Sequence, residues 1–213
     1  MQDFKKKEEF NWYAAKLSLI ILAVFALQNI FPFYTDNFAL ISSTFFQQPW
    51  SVLTYIFLHA NLNHVFSNLF SLVLFGLILE KIVGSRNFLL VFFSSGIFAG
   101  IVSLFFYPSV IGASGAIFGI MGVLAVIRPK MVVFAFGIPI PMIVAVIIWA
   151  ALDLGGVFYP SSIANIGHLA GLGAGIVVGF LIRPRYKVAE KKKEKIKLDE
   201  EYFREWEKKY MKH

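Results

Sequence analysis

Long apolar runs separated by short polar intervals set the pattern of this chain. Residues 14–33, 60–80, 88–107, 114–127, 138–153 and 164–182 are predominantly apolar. Such runs predict helices long enough to span or nearly span a bilayer. The expectation is therefore an all-α membrane protein built as a bundle of six transmembrane helices. The fourth run is the exception in length. At 1.5 Å per residue it reaches about 21 Å, short of a hydrocarbon core of about 30 Å. The preceding interval, 108–113, must then dip inward to meet it. Irregular backbone at that depth is tolerated only against protein or a water-filled cavity. The interval 34–51 holds Phe38, Leu40, Ile41, Phe45, Phe46 and Trp50 with one charge, Asp36, and is expected to lie partly in the lipid interface. Residues 131–142, with Pro139 and Pro141, read as irregular or extended.

Composition supports the same class. Of 213 residues, 58% are hydrophobic and 15% charged, with a mean hydropathy of +0.69, which lies outside the soluble range. Cysteine is absent, which excludes a disulfide framework, a thiolate nucleophile and a cysteine metal site. A net charge of +7 could suggest nucleic acid, but the distribution of the basic residues argues against that partner. Lys5, Lys6, Lys7 and Lys16 precede or open the first run, Lys81 and Arg86 follow the second, Arg128 and Lys130 follow the fourth, and all the others follow the sixth. The intervals 34–51, 108–113 and 154–163 contain none. The positive-inside rule then predicts a multi-pass protein of the cell membrane with both termini cytoplasmic. The basic N-terminus resembles the start of a signal peptide, but no small-residue cleavage site follows the first run, so that helix is read as retained. The expected division is a basic segment 1–13, a helical domain 14–183 and a charged tail 184–213. In the tail Ile196, Phe203, Trp206 and Tyr210 recur at helical spacing, which fits a solvated extension or a helix on the membrane surface.

Depth brings four polar residues to one level. Counted from the nearest basic residue at the cytoplasmic end of each helix, Ser114 lies about 21 Å up, His168 about 22 Å, Asn68 about 20 Å and His64 about 25 Å. Polar groups inside the membrane are costly unless they meet one another or line a wet cavity. Ser114, in Gly112-Ala113-Ser114-Gly115, opens the fourth helix, where free N–H groups and the helix dipole favour developing negative charge. Taken alone, this stretch also fits a turn or an N-cap. His168 shares a helix face with Gly171 and Gly175, while Gly115 and Gly119 stand on the fourth helix. Small residues on both faces permit the close approach that a hydroxyl–imidazole hydrogen bond needs. His64 and Asn68, one turn apart, could donate to an oxyanion or form an interhelical polar clamp.

Together, His59, His64 and Asn68 on the second helix, Gly112-x-Ser114-Gly115, His168 with Gly171 and Gly175, and Glu80-Lys81 followed by Gly84-Ser85 resemble the rhomboid family of intramembrane serine proteases in its compact six-helix prokaryotic form. The similarity covers roughly residues 50–180. The resemblance implies a catalytic pair, Ser114 and His168, working without a carboxylate. It implies an oxyanion hole from the Ser114 backbone N–H, His64 and Asn68, with Gly112, Gly115, Phe118, Gly171, His59 and Glu80 in support. Transmembrane helices of other proteins would be the substrates, the active site would open to the extracellular side, and no cofactor or metal is implied. Two positions depart from the family pattern: Ser51 follows Trp50 where Arg is common, and Phe118 stands where Tyr is frequent.

Other classes fit less well. A metalloprotease would want His-Glu-x-x-His, which is absent. An aspartyl protease needs two membrane aspartates, and only Asp153 lies near a helix core. A transporter could also bury polar residues. The alternative of another class is a catalytically silent rhomboid relative that binds or escorts membrane clients, which would be expected to have lost the serine or the histidine.

Overall fold

The computed structural model of the chain describes residues 10–31, 33–135, 137–159, 163–186 and 200–211. The basic segment before residue 10 and tail residues 187–199, 212 and 213 lie outside the described residues. In order, the helices are α1 (Tyr13–Ile30), α2 (Phe33–Phe38), α3 (Ser51–Thr54), α4 (Leu62–Ser71), α5 (Leu77–Val83), α6 (Ser85–Ser103), α7 (Ser114–Ile127), α8 (Met142–Val157), α9 (Asn165–Tyr186) and α10 (Glu200–Tyr210). A π-helical stretch, Leu72–Gly76, joins α4 to α5 without a break. Four segments, Tyr13–Ile30, Leu62–Val83, Ser85–Ser103 and Asn165–Arg183, are long and apolar enough to cross a membrane, and α7 and α8 are shorter apolar helices.

The short fourth run becomes the centre of the molecule. Apart from Ser114, Phe118 and Val126, every residue of α7 is buried, as expected of a helix that is apolar all round. Its glycines set how close α9 can come. A Cβ at Gly171 would overlap the carbonyl of Gly115, and one at Gly175 would overlap that of Gly119. A Cβ at Gly122 would stand 2.6 Å from the carbonyl oxygen of Leu172. The two backbones are therefore in direct contact, which any side chain at these positions would prevent.

The interval 34–51 is more structured than its composition predicts. It contains α2, a 3-10 turn at Ser42–Thr44 and a strand β1 (Leu40–Ile41), which pairs antiparallel with β2 (Ser109–Val110) in the register Leu40↔Val110 and Ile41↔Ser109. The Ser42 N–H also donates to Pro108 O at 3.0 Å. That pairing ties the apolar outer segment to the chain leading into Ser114, while Phe46, 91% exposed, and Trp50 face outward.

Several boundaries differ from expectation. Residues 138–141 do not open the fifth helix. As the reading of 131–142 as irregular or extended expects, they form β4 (Ile138–Pro141), paired with β3 (Val132–Ala135), and α8 begins at Met142. Pro139 and Pro141 cannot donate to a helical ladder, and Gly137, at φ 79°, supplies the left-handed turn. The third helix ends at Ser103, before Tyr107-Pro108, and His59 precedes α4 because Asn61 caps that helix, its side chain accepting from His64 N at 2.9 Å.

Glu80, grouped in the sequence with the supporting residues, holds the start of α1. It is fully buried in α5, and its carboxylate accepts from the N–H groups of Tyr13 (2.9 Å), Ala14 (3.0 Å) and Asn11 (3.3 Å) and from the Ser85 hydroxyl. Trp12, at the start of α1, offers no side-chain cap. Glu80 thus supplies the cap of α1 from a neighbouring helix.

Candidate active site

Ser114 is the first residue of α7, and its hydroxyl does not cap the helix. Ser114 Oγ stands 2.7 Å from His168 Nε2 on α9. The backbone before it is held at Gly112, whose N–H donates to Tyr55 O at 2.9 Å. Gly112 has φ 126°, and a Cβ there would come within 2.8 Å of the His64 ring atoms Cε1 and Nε2. Only glycine meets both demands, a left-handed backbone and an imidazole lying against it.

The His168 ring is fixed on three sides. Phe118 stacks on its face with ring centroids 4.5 Å apart and planes 12° from parallel. Nε2 meets Ser114, and Nδ1 lies 2.9 Å from Asp153 Oδ1 on α8. A carboxylate therefore accompanies the pair, whereas the family resemblance implied none.

His64 and Asn68 present themselves from α4. Ala60 N–H donates to His64 Nδ1 at 3.3 Å, so the neutral ring carries its proton on Nε2, the atom beside Gly112. Asn68 Nδ2 donates one proton to His64 O at 2.8 Å and retains a second N–H. His59 is buried behind them, its ring 4.8 Å from that of His64 in an edge-to-face contact. Burial, and then the neighbouring His64, push its pKa down to about 4, partly opposed by the Phe57 carbonyl near Nδ1.

These side chains line a cavity of about 820 Å³, in which Ser114, His168, His64 and Asn68 share the wall with Phe118 and Met121. Tyr107 also lines it, and its hydroxyl accepts from Ile166 N at 3.0 Å, securing the first turn of α9. Phe75 and Trp149, in edge-to-face contact at 5.9 Å, bound the cavity between the π-helical stretch and α8. Of the residues singled out by the sequence, Gly115 and Gly171 lie in the α7–α9 contact and Glu80 at the start of α1, all away from the cavity wall. Among the described residues, no group of three or more His, Cys, Asp or Glu could hold a metal ion.

Sequence reasoning missed Asp153, Tyr107, Phe75 and Trp149. For Asp153 a signal existed. It is a lone carboxylate in an apolar run, and its height above Met142 is about 17 Å, near the level of the other polar residues.

The arrangement brings a hydroxyl, a proton acceptor and hydrogen-bond donors together at a helix N-terminus, the parts needed for acyl transfer. A family model described as Rhomboid domain matches residues 47–185. Among curated proteins, the chain is 41% identical over 128 residues to "Rhomboid protease GluP" of Bacillus subtilis, covering 58% of this chain and 24% of that protein. It is 35% identical over 138 residues to "Putative rhomboid protease YdcA" of the same organism, covering 62% and 66%. To "RHOMBOID-like protein 1" of Arabidopsis thaliana it is 34% identical over 144 residues, covering 65% and 36%. The chain belongs to the rhomboid family and is a multi-pass membrane protein.

Proposed function

We propose that this protein is an intramembrane serine protease that hydrolyses peptide bonds within or next to transmembrane helices of other membrane proteins. Ser114 Oγ attacks the scissile carbonyl carbon while its proton passes to His168 Nε2, and the carbonyl π pair becomes an oxyanion. The Ser114 backbone N–H, His64 Nε2–H and the second Asn68 N–H receive that charge. Collapse breaks the C–N bond, and the departing amine takes the proton from Nε2. A water, deprotonated by the same nitrogen, then cleaves the acyl-enzyme and restores Ser114.

The observation that carries this reading is the 2.7 Å contact between Ser114 Oγ and His168 Nε2 on the wall of an 820 Å³ cavity. Water has to reach that bond, and a cavity with polar residues in its wall admits it. In the same reading six helices, α1, α4–α5, α6, α7, α8 and α9, form a catalytic domain over 14–183. The segment 1–13 and the tail 184–213 face the cytoplasm, and the cavity opens to the extracellular side. Support comes from the basic residues, which all lie at one end of the six apolar runs.

The test uses the full chain in membranes with a reporter protein carrying one transmembrane helix. Wild type should cut the reporter, and Ser114→Ala and His168→Ala should not. Equal product from all three would overturn the assignment. A serine-reactive phosphonate should label wild type but not Ser114→Ala, a result that neither a transporter nor a silent relative would give.

A further inference from the structure

A buried carboxylate in an apolar helix needs a reason, because it is costly unless it is paired and hydrogen-bonded. Asp153 lies on α8 at 8% exposure, and its Oδ1 is 2.9 Å from His168 Nδ1. A carboxylate offers lone pairs only, so in this bond Nδ1–H is the donor. A neutral imidazole with its proton on Nδ1 has a bare lone pair on Nε2, and that nitrogen stands 2.7 Å from Ser114 Oγ. Three elements, α8, α9 and α7, thus supply carboxylate, imidazole and hydroxyl in one hydrogen-bonded line.

Resting on the protease reading above, we propose that Asp153 is a positioning residue for the Ser114–His168 pair, so that this chain works with three members instead of two. Asp153 holds His168 in the tautomer that can accept the serine proton. When Nε2 takes that proton, both ring nitrogens become donors and the ring gains a positive charge, which the carboxylate faces directly. No proton passes to Asp153. It moves from Oγ to Nε2 and onward to the amine, and Nδ1–H stays in place. Phe118, stacked on one ring face, completes the restraint on orientation. A second cavity, of about 300 Å³, touches Asp153, His168 and Phe118 from the side of α8.

A clamp between α8 and α9 would affect stability, whereas a positioning role affects turnover. Asp153→Asn keeps the shape but removes the charge and places an NH2 donor where only acceptors stood, so that Nδ1 can be met as an acceptor and the other tautomer favoured. In the full chain in bicelles, with the transmembrane reporter, kcat should fall at least about tenfold with KM little changed. Thermal stability should stay near that of wild type. An unchanged kcat would overturn the proposal. Wild type with 15N-labelled histidine supplies a second measurement that does not depend on the variant folding. The His168 resonances, assigned by their loss in His168→Ala and read at a pH where the ring is neutral, should show Nδ1 protonated and Nε2 unprotonated, and the opposite tautomer would equally overturn it. Ser114→Ala, run in parallel, separates the two claims. If it still cuts, the protease reading fails; if it is inactive while Asp153→Asn turns over normally, only the role of Asp153 falls.

Discussion

At the scale of single residues, the two candidate oxyanion donors differ in how firmly they are held. His64 is fixed twice, by the Asn61 cap on its own N–H and by Ala60 N–H on Nδ1, while Asn68 rests on one bond to the His64 carbonyl. Losing a preorganised donor costs about 10²–10³ in kcat. His64→Ala and Asn68→Ala should therefore each lower turnover of a transmembrane reporter by that order, measured as kcat against Ser114→Ala as the floor. His59 should act differently, through stability. Its folded pKa of about 4 lies below the ordinary 6.5, so between those values the unfolded chain binds a proton that the folded chain refuses. Stability is then fully present above about pH 6.5 and declines as pH falls toward 4. Thermal melts in detergent at pH 7.5 and pH 5 should show a drop for wild type, and a smaller one for His59→Phe.

At the scale of elements, the α7–α9 contact rests on what the glycines lack. Gly175→Ala would drive a methyl into the Gly119 carbonyl, and backbone cannot step aside as a side-chain tip can. It should cost about 1–3 kcal/mol or more. Gly173→Ala, two residues away with nothing within 4 Å of the added carbon, should be neutral or slightly stabilising, because alanine is the better helix former. Melting the two variants side by side checks both expectations. These elements also show what a sequence can carry. The start of α7 at Ser114 was legible because Pro108, Gly112 and a short apolar run confine it to a few positions. The start of α8 reads two ways: the apolar run places it at Ile138, whereas Pro139 and Pro141 mark 131–142 as irregular or extended, and the pairing of Ile138 and Ile140 with Ala135 and Val133 bears out the second. His59 looked helical because Ala60 is a good helix former, yet Asn61 is the cap. Asp153 reaches His168 only because the chain returns through 154–163, and periodicity does not encode that return.

At the scale of the whole molecule, the charge asymmetry makes a claim about orientation that is independent of chemistry. If positive residues face the cytoplasm, the β1–β2 pair and the segment 34–51 stand outside, and the β3–β4 hairpin with Arg128 and Lys130 stands inside. The positions are well separated in sequence, and each side offers an exposed residue, Ser43 on the outer segment and Lys130 beside the hairpin. The chain has no cysteine, so each thiol introduced is the only one. Ser43→Cys should react with a membrane-impermeant maleimide on intact spheroplasts, and Lys130→Cys should react only after permeabilisation. The labelling is read on variants that still cut the reporter, which ensures that the protein reporting its orientation is folded. Reversed labelling would turn the cavity toward the cytoplasm, and substrates would then be cut near their inner ends. The expected pattern sets Ser114, reached through residues 108–113 from the same side as Ser43, in the outer half of the bilayer. There a substrate helix frays first, its peptide bonds no longer shielded by the helical hydrogen bonds that protect them deeper in the membrane.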